Sequence, residues 1–289
     1  MIQTLSVVVP TPKCVNNCAF CVSKMGTPDS VNQIEKNKRF MDLYDKDYID
    51  CLFFARDNGC NTLILTGDGE PLQNQNFLER FSYLNKALGD NRFRIIELQT
   101  TGTFITDEKL RFLRNMVRVK LISLSVSDLF NSVNNCGIIG VPKPLAFDLE
   151  YVAKEIKRYD FTLRFSINML NVMDTRTPEE TFERLALLGA DQVIFRQMYG
   201  VPGTPEGEWV EKYAAAKSVM TIYNQYIKTY GKPLEVLPFG AIRYSLHGIS
   251  TVLDENCMPQ EVNKDIRYLV LDSSCRLRTR WDDKGSLLF

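Results

Sequence analysis

Three cysteines, Cys14, Cys18 and Cys21, lie within eight residues in the pattern C-x-x-x-C-x-x-C. A loop this tight can turn three thiolates toward one centre, and thiolate is the ligand that iron–sulfur clusters take. Three protein ligands on a four-iron cubane leave one iron open to a substrate or cofactor, which a closed four-cysteine site does not. Two other readings stay open on these residues alone. Structural zinc needs a fourth ligand, and the single histidine, His247, is more than two hundred residues away. The three thiols are also readable as unrelated.

A second segment, Leu65-Thr66-Gly67-Asp68-Gly69-Glu70-Pro71, has the composition of a ligand loop. Glycines let a backbone approach a ligand closely, and Glu70 can hold an ammonium group. The same residues are ordinary turn chemistry, so this segment alone does not decide between the two.

The elements that must position these groups alternate between strand and helix. Leu5 to Val9 is an apolar, β-branched run ending at Pro10 and reads as a buried strand. Residues 42–58 read as a helix, 62–65 as a strand, 75–88 as a helix, and 93–98 and 121–126 as strands. Residues 148–158 read as a helix and 163–170 as a strand. Thr177-Pro178-Glu179-Glu180 opens another helix with a capping box, and 192–195 is a sixth strand. Such alternation gives a parallel sheet with right-handed crossovers. Six units suit an α/β fold with a partial parallel (β/α)6 barrel, its chemistry at the C-terminal ends of the strands. The Gly- and Pro-rich stretch 200–207 marks a boundary, giving a core over 1–200 and a helix-plus-strand extension over 201–289 that packs on the barrel and contacts substrate. In the extension, Trp209, Tyr213, Ala216, Met220, Tyr223 and Ile227 keep helical spacing, which predicts one long core-packed helix.

Composition narrows the class. The chain has 289 residues, 45% hydrophobic and 24% charged, as in a globular enzyme. Lys plus Arg equals Asp plus Glu at 35 each, which weighs against a nucleic-acid partner. No apolar run approaches the ~20 residues of a membrane span. The N-terminus reads as a strand and lacks the features of a signal peptide. The eight cysteines do not form a dense secreted scaffold, so the reducing cytoplasm is the expected compartment.

With Phe20 as the aromatic in C-x-x-x-C-x-aromatic-C, and with Gly67-Asp68-Gly69-Glu70-Pro71 after the second strand, the chain resembles the radical S-adenosylmethionine (SAM) superfamily over roughly residues 5–200. The resemblance implies one 4Fe–4S cluster on Cys14, Cys18 and Cys21, with SAM on the open iron. An external electron donor, flavodoxin- or ferredoxin-like, reduces the cluster. SAM is then cleaved to methionine and a 5′-deoxyadenosyl radical that abstracts hydrogen from a substrate. It also implies SAM contacts from Phe20 and from Gly67, Asp68, Gly69 and Glu70. Further contacts come from Thr101 after the third strand, Ser123 and Ser125 on the fourth, and Arg164, Ser166 and Asn168 on the fifth. Arg196 and Gln197 close the sixth strand, and one of them meets the SAM carboxylate or the substrate.

The substrate is less legible. Only Cys257 and Cys275 follow residue 200, too few for the extra clusters of many peptide-modifying relatives. Thirteen residues before Cys14 leave no room for an N-terminal peptide-recognition domain. A small anionic molecule such as a nucleotide is therefore the first reading. A peptide or protein substrate, including a glycyl-radical enzyme to be activated, is the alternative within the class, and a non-catalytic zinc module is the alternative outside it. Residues 266–271 read as a strand leading into Arg276, Arg278 and Arg280, which alternate as an anion-binding face or as a solvated face balanced by Asp282 and Asp283. Residues 22–41, with Lys24, Lys36, Lys38 and Arg39, read as a mobile lid or a solvated loop. Cys136 is read as an incidental thiol or a hydrogen-atom donor, and Cys51 and Cys60 as core filler.

Overall fold

The computed structural model describes residues 4–11, 13–25, 45–237, 240–254, 268–279, 281 and 287–288. Lys36, Lys38, Arg39, Cys257, Arg280, Asp282 and Asp283 fall outside them.

One eleven-stranded sheet organises the chain, in the order β11-β10-β1-β2-β3-β4-β5-β6-β9-β8-β7. The strands are β1 (Thr4–Val9), β2 (Thr62–Gly67), β3 (Ile95–Thr100), β4 (Leu121–Val126), β5 (Thr162–Met169), β6 (Gln192–Gln197), β7 (Lys232–Val236), β8 (Ile242–Leu246), β9 (Ile249–Asp254), β10 (Tyr268–Leu271) and β11 (Leu277–Arg278). From β10 through β1–β6 to β9 every pairing is parallel, while β11 and the β8–β7 hairpin join the edges antiparallel. The sheet does not close, so the architecture is a partial α/β barrel. The residues after 200 add five strands to this sheet.

The helices are α1 (Asp45–Asp57), α2 (Gln75–Ala87), α3 (Asp107–Phe112), α4 (Ser132–Ile139), α5 (Leu149–Arg158), α6 (Pro178–Leu187), α7 (Pro205–Tyr213) and α8 (Lys217–Tyr230). Their starts follow local chemistry. Asn74, Thr106 and Asp148 side chains cap α2, α3 and α5, and Thr177 and Glu180 form a reciprocal capping box on α6. Strand side chains alternate. Leu63 and Leu65, Ile96 and Leu98, Ile122 and Leu124, Leu163 and Phe165, and Val193 and Phe195 enter the apolar core with the helices. The residues between them face the lumen.

The long helix expected over 209–227 is two helices. Ala214 is extended, at φ −61° and ψ 148°, and bridges Leu170. Ala215 N donates to Met169 O at 3.0 Å, and Ala216 N to Asp174 Oδ1 at 3.1 Å. The end of β5 thus captures three alanines whose helical spacing gave no sign of it. Val219, Met220, Tyr223 and Ile227 on α8 are core; Trp209 and Tyr213 on α7 are only partly buried.

Candidate active site

β1 delivers the chain to the C-terminal edge of the sheet, and the cysteine loop follows. Cys14, Cys18 and Cys21 line one open cleft of about 750 Å³ together with Thr66, the Gly67–Pro71 loop, Gln99, Thr100, Thr101, Ser123, Ser125, Ser166 and Arg196. Six successive parallel strands therefore contribute to one site through their C-terminal ends and the loops after them. The three thiols are partly exposed. Burial pushes the Cys14 thiol above its ordinary value. Burial and the neighbouring Cys21 and Cys14 push Cys18 up to about 12. Such thiols hold their protons until a cation takes their place, and a cationic iron cluster does that. Three thiols around one cleft thus fit an iron–sulfur group. Among the described residues, no three His, Cys, Asp or Glu side chains form a group able to hold a single metal ion.

Side chains absent from the motif reading hold the cysteine loop. Asn16, 5% exposed, donates from Nδ2 to Thr101 Oγ1 at 2.9 Å and accepts from Thr103 Oγ1 at 3.1 Å. Gln73 accepts from Val15 N at 2.8 Å and donates to Lys13 O at 3.0 Å. Lys24 Nζ donates to Asn17 Oδ1 at 2.6 Å, and Asn17 N to Gly140 O at 3.1 Å. Their only sequence signal was a position inside or beside a motif.

The Glu70 carboxylate is engaged by its own loop and by the end of β3. It is 2% exposed. Oε1 accepts from Thr100 Oγ1 at 2.6 Å and Leu72 N at 3.2 Å, and Oε2 from Thr101 Oγ1 at 2.7 Å and Thr101 N at 2.9 Å. These four donors match the capacity of a carboxylate. Burial raises its carboxyl above the ordinary range, and the same hydrogen bonds oppose the rise. Glu70 locks the β2 loop to the end of β3, and Thr101 extends the lock to Asn16. The exposed polar groups of this loop are then the backbone around Gly67, Asp68 and Gly69.

The two glycines answer to packing. A Cβ on Gly69 would meet Thr11 Cβ at 2.8 Å and Cγ2 at 3.0 Å, and one on Gly67 would meet Gly69 O at 2.8 Å and Val9 O at 3.1 Å. Both are required where the β2 loop crosses the end of β1.

Three expected cofactor contacts lie off the cleft lining. Phe20 turns to Trp209 of α7, with ring centroids 5.7 Å apart. Arg164 is one inward-facing position below Ser166, where Nη1 donates to Glu97 Oε2 at 2.6 Å and Nε to Gln192 Oε1 at 2.8 Å. The ion pair consumes its charge. Asn168 is spent on Ser127 Oγ at 3.2 Å and Ser125 Oγ at 3.5 Å. Cys136 is buried, with Sγ 3.5 Å from Phe147 O, and also lies off the cleft lining. Cys275 is buried in the β10–β11 turn with its carbonyl 4.0 Å from Cys51 Sγ. β11 is two residues long, and Arg278 Nε is paired with Asp272 Oδ2 at 3.0 Å.

The comparisons agree with this geometry. The structure of native anSMEcpe with bound AdoMet is similar at TM-score 0.61 and 13% identity, covering 99% of this chain and 77% of that one. Coproporphyrinogen III oxidase (HemN) from Escherichia coli, described as a radical SAM enzyme, is similar at TM-score 0.51 and 16% identity, covering 79% and 52%. Methylornithine synthase (PylB) is similar at TM-score 0.51 and 12% identity, covering 78% and 63%. The chain thus spans about half of the HemN chain and under two thirds of the PylB chain. No curated protein matches the sequence. Among the described residues, no helix is long and apolar enough to cross a membrane. The radical SAM superfamily model matches residues 8–211, most of the chain, and the chain belongs to that superfamily and to its class of enzymes.

Proposed function

We propose that this chain binds one 4Fe–4S cluster through Cys14, Cys18 and Cys21, binds SAM in the cleft beside it, and acts on a small anionic substrate. When bound, the cluster and SAM together supply the electron and the 5′-deoxyadenosyl radical that takes hydrogen from the substrate. The carrying observation is that the three thiols and the Gly67–Glu70 loop line the same cleft, which β3 to β6 continue with polar side chains. The cysteine loop would hold three irons, and the backbone of residues 67–69 the methionine end of SAM. Ser123, Ser125 and Ser166 line the lumen as hydrogen-bonding groups for the ribose and for substrate.

A peptide substrate is the second reading. It is favoured by the likeness, at TM-score 0.52, to anSMEcpe with bound AdoMet and the Cp18Cys peptide. Anaerobically purified and reconstituted protein should hold about four irons per chain. Once reduced, it should convert SAM to methionine and 5′-deoxyadenosine. Protein that binds zinc in preference and leaves SAM intact would overturn the proposal.

A further inference from the structure

Two arginines face the lumen, and the protein treats them differently. Arg164 on β5 is matched by Glu97 and Gln192. Arg196 on β6 lines the cleft two inward-facing positions higher, in register with Asn168. Its Nε is buried without a partner. Among the described residues it forms no hydrogen bond or ion pair, even though Asp254 stands beside it in the β6–β9 register. Ser166 Oγ, on the neighbouring strand and the same cleft wall, is also buried without a partner. Among the described residues, Arg196 is the only lysine or arginine lining the cleft. A buried guanidinium edge with no acceptor is costly, and its fork geometry matches a carboxylate or a phosphate.

Within the proposed function, two oxyanions can reach this cleft: the carboxylate of SAM and an anionic group of the substrate. The methionine end of SAM belongs at the cysteine loop and the β2 loop, where the open iron is. β6 stands four strands from β2 in the sheet, on the wall that faces that loop. We infer that Arg196, with Ser166 beside it, is the recognition point for a carboxylate or phosphate group of the substrate. This inference rests on the proposed function, and it assigns the substrate's anion to β6 and not to the basic run near Arg278.

The test uses wild-type, cluster-loaded protein under anaerobic conditions. Phenylglyoxal labels accessible guanidinium groups, and labelling at Arg196 is read by peptide mass spectrometry with and without saturating SAM. Inorganic phosphate and malonate serve as the anion probes. Arg196 should remain reactive with SAM bound and be protected by one of the two anions at roughly 10 mM, the range of a single charge-assisted pair. Protection by SAM alone would hand Arg196 to the cofactor, and protection by neither anion would remove the oxyanion site; either result overturns the inference. Arg196→Gln and Arg196→Lys give an independent reading. Both should bind SAM within about twofold of wild type, and a loss of tenfold or more in both overturns the inference, since a lost charge-assisted contact is worth about that much. Failure of the underlying function would show separately, as wild-type protein that binds no SAM, and the anion arm still runs on such protein.

Discussion

The ring of Phe20, in the cysteine loop, packs against the indole of Trp209 at a centroid separation of 5.7 Å and an interplanar angle of 38°. Tyr213 continues the contact at 4.8 Å from Trp209. An element beyond the Gly200–Gly207 boundary therefore buttresses the loop that carries the three thiols. An aromatic pair of this kind contributes about 0.5–1.5 kcal/mol beyond its buried area. The chain has two tryptophans, so a Trp281→Phe background isolates the signal of Trp209. In that background Phe20→Ala should shift Trp209 emission to the red, and cluster assembly should quench it. Unchanged emission in both experiments would mean that the two rings do not meet.

Replacing Cys14, Cys18 or Cys21 with Ala should abolish the brown absorbance and the bound iron. Cys51 and Cys60, both buried in the apolar core, should be replaceable by Ala with full iron content. Equal iron loss in all five variants would trace the effect to folding.

Glu70→Ala should destabilise the apoprotein. It leaves Thr101 N–H and Leu72 N–H without acceptors at the junction of the β2 loop and β3, and each such group costs about 1–3 kcal/mol. At about 2–4 °C per kcal/mol for a domain of this order, calorimetry should show a Tm lower by several degrees. An unchanged apoprotein Tm combined with weak SAM binding would return Glu70 to the role of ammonium ligand.

Gly69→Ala should be destabilising through Thr11, by about 1–3 kcal/mol, the usual cost of forcing an extra group into a packed site. Thr11→Gly removes the three atoms nearest to the new Cβ. The double variant should therefore recover most of the loss caused by Gly69→Ala in denaturant unfolding. Strict additivity would show that the glycine answers to something other than Thr11.

Arg164→Met alone should cost about 3–5 kcal/mol, because it strands the Glu97 carboxylate in the lumen with its counter-charge gone. The side chains of Arg164 and Glu97 are 19% and 5% exposed. Arg164→Met with Glu97→Leu should be closer to wild type than either single change. Chemical denaturation of the four proteins provides the cycle.

The sequence was informative where one residue type answers to one local demand. Thr177 and Glu180 announced a helix start, and the spacing of Cys14, Cys18 and Cys21 announced a shared centre. It was silent where a residue's partner comes from far along the chain. Gly69 reads as a ligand cradle until Thr11 is beside it, and Glu70 as a free carboxylate until Thr100 and Thr101 claim it. Arg164, Ser166 and Asn168 alternate on one strand and so share a face, but Arg164 lies deeper and pairs with Glu97, and Asn168 is taken by Ser125 and Ser127. Only Ser166 reaches the cleft. The helical stripe from Trp209 to Ile227 was real, but nothing in its spacing showed that the end of β5 would draw Ala214 to Ala216 out of it.

The pairing of β1 with β10 has a consequence for how the protein is made. Thr4 stands opposite Tyr268, so β1 takes its outer neighbour from a strand made more than 260 residues after it. At roughly 5–20 residues per second, that neighbour appears roughly 13–50 s later. During that interval β2 can already cover one side of β1 and set the cysteine loop, while the other side presents an unpaired row of backbone donors and acceptors. The strand that carries the thiol loop is thus the one whose free edge stays open longest during synthesis. Completing it is a slow, long-range closure of the kind that exposes a nascent chain to misassociation.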